Sequence, residues 1–305
     1  SSITKNLRIT RNRERSGEVA TYGGNLKLMA VINTTTRQID LSTTLQSGQT
    51  FRWRLENDWF HNVIFNNLIK IRQKSDRIEF YSYPDQETKI LPLLTDYLGL
   101  NNDLDKIYAS ISTDSNIKSA IKEYRGMQIL RQDPWECLVS FICSSASNIP
   151  RISRNIENIC TSFGTPLKFG SIERNSFPSP KVLAKAGENK LRMLGLGYRA
   201  SYLANTAKII SAGSLNLMDL RKSSYQDALN SLVLLDGVGD KVANCIMLFS
   251  LDKPNAFPVD VWIQRALQEW YLGDQDKKIS PKNMRIWAHS YFGDYAGYAN
   301  QYLFQ

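Results

Sequence analysis

The chain changes its hydrophobic period once, near Pro84, and that change dictates the order of its parts. From about Leu28 to Tyr83, short runs rich in β-branched and aromatic residues follow one another: Thr50–Arg54, Trp59–Phe65, Leu68–Gln73 and Ile78–Tyr83. Between them stand Glu56-Asn57-Asp58, Asn66-Asn67 and Lys74-Ser75-Asp76, combinations that favour tight turns between antiparallel strands. After Pro84 helical periodicity takes over. It predicts helices at Gln86–Leu98, Leu104–Ser112, Ser115–Tyr124, Pro134–Ser144, Pro150–Phe163 and Pro180–Ala186. Further helices are predicted at Ala200–Ala212, Tyr225–Leu234, Asp240–Ser250, Val261–Tyr271 and Pro281–Tyr291, with a last turn or two from Tyr295. Several begin with Pro, and Ser, Asp or Asn often stands just before. Strands followed by many helices imply an α+β chain. Its expected parts are an N-terminal antiparallel twisted β-sheet domain with flanking helices at 28–112 and a mainly helical region at 113–305. Residues 1–27, polar and Arg-rich (RITRNRERSG), read as a basic, flexible extension.

A chain of 305 residues with 42% hydrophobic content buries a substantial core and is not disordered. Its 38 Lys and Arg against 29 Asp and Glu give a formal net charge of +9, which favours polyanionic partners such as DNA or RNA. The four cysteines, Cys137, Cys143, Cys160 and Cys245, form no C-x-x-C pair, so a structural zinc or iron–sulfur cluster is not expected. They fit reduced core residues better than a disulfide framework. His61 and His289 are the two histidines, and both read as structural. No apolar run reaches the length of a membrane span, and no signal-peptide h-region opens the chain. The expectation is a soluble, intracellular protein, nuclear if eukaryotic and in the cytoplasm or nucleoid if prokaryotic.

The chemistry concentrates in LDGVGDKVANCIMLFSLDKPNAFPVD, Leu235–Asp260. Helix, Gly237-Val238-Gly239 and helix make a helix-hairpin-helix unit. Its glycines allow positive φ and let a phosphate approach unpaired N–H groups at the start of the second helix. Such a turn grips a DNA backbone without reading sequence. An ordinary glycine turn between core helices would look similar, so the residues that follow matter. Lys241 lies in the first turn of its helix, where the dipole and partial burial both disfavour an ammonium ion and favour a nucleophilic amine. A surface lysine contacting phosphate is the other reading. Cys245, one turn on, shares the face of Lys241 and either lines the same pocket or fills the core. Asp260 is an N-cap residue and a carboxylate for catalysis, roles that are compatible.

The segment GVGDKVANCIMLFSLDKPNAFPVDVW closely resembles the helix-hairpin-helix signature of the 8-oxoguanine DNA glycosylase/AP lyases, with the hallmark Lys and Asp at Lys241 and Asp260. SGQTFRW at Ser47–Trp53, DPWECLVSFICSS at Asp133–Ser145, FPSP at Phe177–Pro180, LGLGYRA at Leu194–Ala200 and YAGYANQYLF at Tyr295–Phe304 extend the resemblance from about Met29 onward. It implies a helix-hairpin-helix glycosylase region at 113–305 and a bifunctional base-excision repair enzyme. That enzyme would flip 8-oxoguanine, preferably opposite cytosine, out of duplex DNA, excise it through a Lys241 Schiff base and cleave 3′ of the abasic site by β-elimination. It would need no metal and no cofactor, and would act as a monomer.

The resemblance also implies roles for other positions. Gly48 would accept the N7–H that only the oxidised guanine carries, Phe304 would stack on the flipped base, and Cys245 would stand across the pocket. Asn300 falls where a glutamine normally reads the Watson–Crick edge. Asn148 would enter the gap in the duplex, Tyr198 would act as a wedge, and Arg151 and Arg199 would face the orphaned cytosine. Three departures stand out: Ala146 and Ser147 replace most of an asparagine cluster, Asn300 is shorter than glutamine, and Trp262 replaces a histidine. The alternatives are a helix-hairpin-helix glycosylase for another damaged base, or a non-catalytic DNA-binding scaffold. Lys241 speaks against the alkyl-base branch, and the missing cysteine cluster against the iron–sulfur branch.

Overall fold

A computed structural model describes residues 20–22, 25–27, 29–34, 38–273 and 279–305. The three predicted turns all form, and each places residues at positive φ: Asn57 at 48° and Asp58 at 65°, Phe65 at 51° and Asn66 at 56°, and Ser75 at 46°. Left-handed turn residues match the twist of the flanking strands, which is why short loops of this composition close hairpins. The strands they join form a five-stranded antiparallel sheet among the described residues. Ala30–Asn33 lies at one edge, followed by Arg77–Tyr83, Asn67–Lys74, Trp59–Ile64 and, at the other edge, Arg54–Glu56. Register pairs Ile71 with both Phe60 and Phe80.

Both faces of this sheet are covered. Phe60, Ile69, Ile71, Ile78 and Phe80 pack with Ile90, Leu91 and Leu94 of the helix Glu87–Tyr97. Trp59, Val63, Leu68 and Tyr81 pack on Phe169. Phe169 belongs to a two-stranded hairpin, Pro166–Phe169 with Ile172–Asn175, that the helical part sends back to the sheet. Every residue of Trp59–Ile64 is consequently buried, and the polar-out alternation of a one-sided sheet is lost.

The predicted helices form, within a residue or two at most ends. Asp103, Asp114, Asp133, Asn148, Ser179, Ser224, Asp260 and Ser280 cap eight of them through side-chain oxygens. The run Pro180–Ala186 continues to Leu191 across a break at Gly187, where φ is 73°. Val261–Tyr271 is α-helical only to Leu267 and continues as a π-turn, Gln268–Leu272.

Several expectations differ from the structure, and the edge strand Ala30–Asn33 lies outside the predicted runs. Thr50–Arg54 is not a strand; the strand is Arg54–Glu56, and the Phe51 side chain enters the helical core instead. A helix, Leu41–Gln46, stands inside the β-rich segment, capped by Asp40. A second short helix, Leu217–Lys222, was not expected, nor was the Pro166–Asn175 hairpin. In the basic extension, Ala20–Tyr22 pairs with Asn25–Lys27, and its residues 1–19, 23 and 24 lie outside those described.

The larger core joins the helices to Phe51 and to the helix Leu104–Ile111. All four cysteines are buried thiols. No helix among the described residues is long and apolar enough to cross a membrane.

Candidate active site

Six segments converge on one pocket of about 430 Å³. The Ser47–Gly48 turn forms its rim, and Phe141 and Ser144 close the end of the helix Pro134–Cys143. Lys241, Cys245 and Phe249 come from the helix Asp240–Ser250, where four-residue spacing sets them on one face. Asp260 and Trp262 open the helix Val261–Leu267. Asn300, Gln301 and Phe304 come from Ala296–Phe304, and Asn148 lies at the mouth. Of the residues singled out in the sequence, Lys241, Asp260, Gly48, Cys245, Asn300 and Phe304 line this cavity, and so does Asn148, which was expected in the gap of the duplex.

The floor is aromatic. Phe141 stacks on Phe249 with centroids 5.5 Å apart and meets Phe51 edge-on at 5.6 Å. Lys241 Nζ stands 5.4 Å above the Phe141 ring and 3.5 Å from Ser144 Oγ, a long contact that leaves the amine weakly committed. Burial pushes the Cys245 thiol up from its usual range, Lys241 opposes that shift and Asp260 adds to it. Cys245 is therefore a neutral neighbour of Lys241 at physiological pH and no competing nucleophile.

Asp260 is held from both directions. Its Oδ1 accepts the Ile263 N–H at 2.8 Å and so caps the helix. The segment leading to it is pinned twice: the Phe257 N–H donates to Asn244 Oδ1 at 3.2 Å, and Asn300 Nδ2 donates to the Pro258 carbonyl at 2.8 Å. Asn244 also accepts from Tyr225 at 2.7 Å and donates to the Asp240 carbonyl at 2.8 Å. Arg285 completes the frame with two bonds to the Asp240 carboxylate, at 3.0 and 2.8 Å. These contacts fix the start of the lysine helix against the aspartate segment. The sequence reading missed Arg285, which only the fold brings to the hairpin, and Asn244, which lies in the hairpin's second helix but whose partners Tyr225 and Phe257 lie outside it.

The hairpin glycines do different jobs. Gly237 has φ of 77°, and a Cβ there would come within 2.6 Å of Tyr202 Cδ2, so no side chain fits. Val238 is buried and anchors the turn, its N–H donating to Leu235 O at 3.1 Å. Gly239 is the N-cap of Asp240–Ser250, without a side-chain cap, and its Cβ position is open to space. Bare N–H groups at an open helix start are what a phosphate needs.

The residues expected to contact the opposite strand divide. Tyr198 is 46% exposed, with its hydroxyl 3.3 Å from the Ser145 carbonyl. Arg151 is exposed. Arg199 is 2% exposed, and its guanidinium donates to the Ser145 carbonyl at 2.8 Å and the Ala146 carbonyl at 2.9 Å. In this arrangement it braces the Ser144–Asn148 segment. Asn148 is also engaged, its Oδ1 capping the helix Ile149–Phe163 through Arg151 N at 3.0 Å. Within this segment Ala146 adopts φ of 45°, and Ser147 Oγ is buried beside the pocket with no partner among the described residues. Trp262 lies at the lip, 65% exposed, with the Arg265 guanidinium 5.2 Å over its ring.

Comparison with known proteins gives the same outline. A family model described as 8-oxoguanine DNA glycosylase, N-terminal domain, matches residues 31–138, and one described as HhH-GPD superfamily base excision DNA repair protein matches 139–289. The chain is 34% identical to an N-glycosylase/DNA lyase of Arabidopsis thaliana over 88% of its own length and 77% of that protein. It is 31% identical to a probable N-glycosylase/DNA lyase of Methanothermobacter thermautotrophicus, covering 87% of this chain and 92% of that one. The apo-form of Clostridium acetobutylicum 8-oxoguanine glycosylase/lyase superposes with a TM-score of 0.85 at 31% identity, covering 90% of this chain and 95% of that one. The same enzyme in complex with double-stranded DNA containing cytosine opposite 8-oxoguanine gives 0.82, over 88% and 91%.

Proposed function

The chain belongs to the 8-oxoguanine DNA glycosylase/lyase family, and from that premise we propose that it excises 8-oxoguanine from duplex DNA through a covalent Lys241 intermediate and then cleaves the abasic strand. The observation that carries this reading is the meeting of Lys241 and Asp260 in one aromatic-floored pocket, rimmed by Gly48 and Phe304. A glycosidic bond inside a base stack is unreachable, so the nucleotide must leave the duplex first. The glycine hairpin, open at Gly239, would hold the backbone while it does.

In the pocket the base would lie against Phe304. Gly48 would accept N7–H through its carbonyl, which separates the oxidised guanine from guanine by a single proton. One of the two Asn300 amide N–H groups is spent on the Pro258 carbonyl, which turns the Oδ1 end of the amide away from Pro258. An acceptor there suits the N1–H and N2–H donors of a guanine edge and disfavours adenine, whose N1 is itself an acceptor.

Lys241 Nζ would attack C1′ as the bond from C1′ to the base breaks, and the base would depart with the bonding pair and take up a proton. Asp260 would accept a proton from the amine and stabilise positive charge developing on the sugar. Ring opening would give a protonated Schiff base. Loss of a C2′ proton would then expel the 3′ phosphate, the β-elimination step. No step changes an oxidation state, so the scheme is written without a redox cofactor.

Borohydride reduces a Schiff base to a stable amine and so tests the intermediate. It should trap the protein on duplex DNA carrying 8-oxoguanine opposite cytosine, and Lys241→Ala should abolish trapping. No adduct with protein that binds the duplex, or undiminished adduct in Lys241→Ala, refutes the assignment. Cleavage of the lesion opposite each of the four bases measures the cytosine preference.

A further inference from the structure

The turn that carries Gly48 is fixed by side chains that the chemistry itself does not require. The Ser47 carbonyl accepts from Gln301 Nε2 at 2.8 Å and from Gln305 Nε2 at 3.0 Å. Gln301 is only 3% exposed and lines the pocket next to Phe304. On the other side of Gly48, the Gln49 amide donates to the carbonyls of Thr44 and Gln128 at 3.1 and 2.9 Å and to Ser47 Oγ at 2.8 Å. Its Oε1 accepts from Leu130 N at 2.8 Å, and its backbone carbonyl accepts from Gln132 Nε2 at 2.6 Å. Gly48 stands between these anchors with φ of 79°.

A glycine at positive φ is where a peptide plane turns over most cheaply, because glycine populates both signs of φ. If the peptide between Gly48 and Gln49 turned over, the pocket would meet an N–H where it had met a carbonyl. A carbonyl suits the N7–H of 8-oxoguanine, whereas an N–H suits the bare N7 of guanine. One flip would invert the selection. We infer that Gln301 and Gln305 are positioning residues for lesion recognition: by clamping the Ser47 carbonyl they fix the Ser47–Gly48 peptide, against which φ of Gly48 sets the direction of the Gly48 carbonyl, and together with the Gln49 anchors on the other side they keep that carbonyl, not the Gln49 N–H, toward the base. The inference rests on the reading of Gly48 as the N7–H acceptor.

Binding in a Lys241→Gln background separates recognition from turnover. Affinities are measured for duplexes carrying 8-oxoguanine, guanine, 8-methoxyguanine and a tetrahydrofuran abasic analogue. Gln301→Glu keeps the side-chain volume but replaces the donating amide with an oxygen, and Gln305→Ala removes the second donor at a more exposed position. The ratio of 8-oxoguanine to guanine affinity should fall about tenfold in Gln301→Glu, the equivalent of one lost buried hydrogen bond, and less in Gln305→Ala. Affinity for the abasic analogue should stay unchanged, because no base is read there. An unchanged ratio, or one that falls in step with the abasic analogue, overturns the clamp. If the Lys241→Gln parent binds 8-methoxyguanine, which lacks N7–H, as tightly as 8-oxoguanine, the reading of Gly48 fails before the clamp is tested.

Discussion

Asp260 carries two roles on one carboxylate, and two substitutions separate them. Its Oδ1 accepts the Ile263 N–H at 2.8 Å, a bond that asparagine makes as well as aspartate. Asp260→Asn therefore keeps the cap, and the pins at Phe257 and Pro258 keep the residue in place. Asp260→Ala loses the cap, at a cost of about 1 kcal/mol. In a chain of this length that lowers Tm by about 1–2 °C. Both substitutions remove the negative charge that the mechanism sets against the amine and the developing sugar cation. Removing one such preorganised group from an enclosed site slows chemistry by about 10²–10³-fold. Single-turnover excision of 8-oxoguanine, with thermal unfolding of the same preparations, gives both quantities. The expected pattern is two variants equally slow and unequally stable. Asp260→Asn with most of its excision rate intact would show that the residue only caps. Asp260→Asn as unstable as Asp260→Ala would refute the capping account.

Gly237→Ala should destabilise the hairpin by about 1–3 kcal/mol, from positive φ and the Tyr202 clash together. Gly239→Ala, with open space around it, should cost less in denaturant melts; equal costs would contradict the steric argument. Burial pushes the Glu136 carboxyl up to about 7 from 4.5, with Arg52 opposing. Between those values the folded protein holds a proton that the unfolded chain has released, so this group's contribution to stability falls as pH rises from about 4.5 to about 7. Glu136→Gln should remove that component from a series of denaturant midpoints, and an identical pH slope in the variant would exclude it. Duplex binding should weaken steeply with salt, log K falling by about 0.9 per decade of salt for each phosphate neutralised. A flat salt dependence would contradict a backbone-gripping hairpin.

What the sequence disclosed and what it hid follow from how far each signal reaches along the chain. Capped helices and two-residue turns are local. Asp133, Ser224 and Asp260 sit next to the helices they start, and Asn57-Asp58 closes its own hairpin. The Pro166–Asn175 hairpin is not local in this sense. Its reason for existing is the second face of a sheet about a hundred residues upstream, where Phe169 meets Trp59 and Tyr81. Thr50–Arg54 misled for a related reason. Its β-prone residues are recruited by partners distant in sequence: Phe51 by the helical core, and Arg52 by Glu136 and Glu157 in a buried ion-pair cluster. The same cluster ties the Gly48 turn to the two helices below the pocket.

At the site, spacing located residues without revealing what they are already bonded to, and Arg199 is where that difference matters most. Its guanidinium serves two backbone carbonyls in a buried position. Charge-assisted bonds of that kind contribute about 1.5–3 kcal/mol each. A bidentate contact to a base edge is worth about 1–3 kcal/mol in total. Moving Arg199 to an opposite cytosine would then return no more than it gives up, and would also strip support from a segment whose Ala146 already sits at positive φ. Arg151 is exposed and at the start of the helix that borders the pocket, so it can approach a base without such a loss. In the absence of DNA, Arg199 is thus a brace that sets the Ser144–Asn148 segment, and Arg199→Ala should loosen that segment whether or not the side chain also reaches the opposite base; an unchanged unfolding midpoint in Arg199→Ala would contradict the brace.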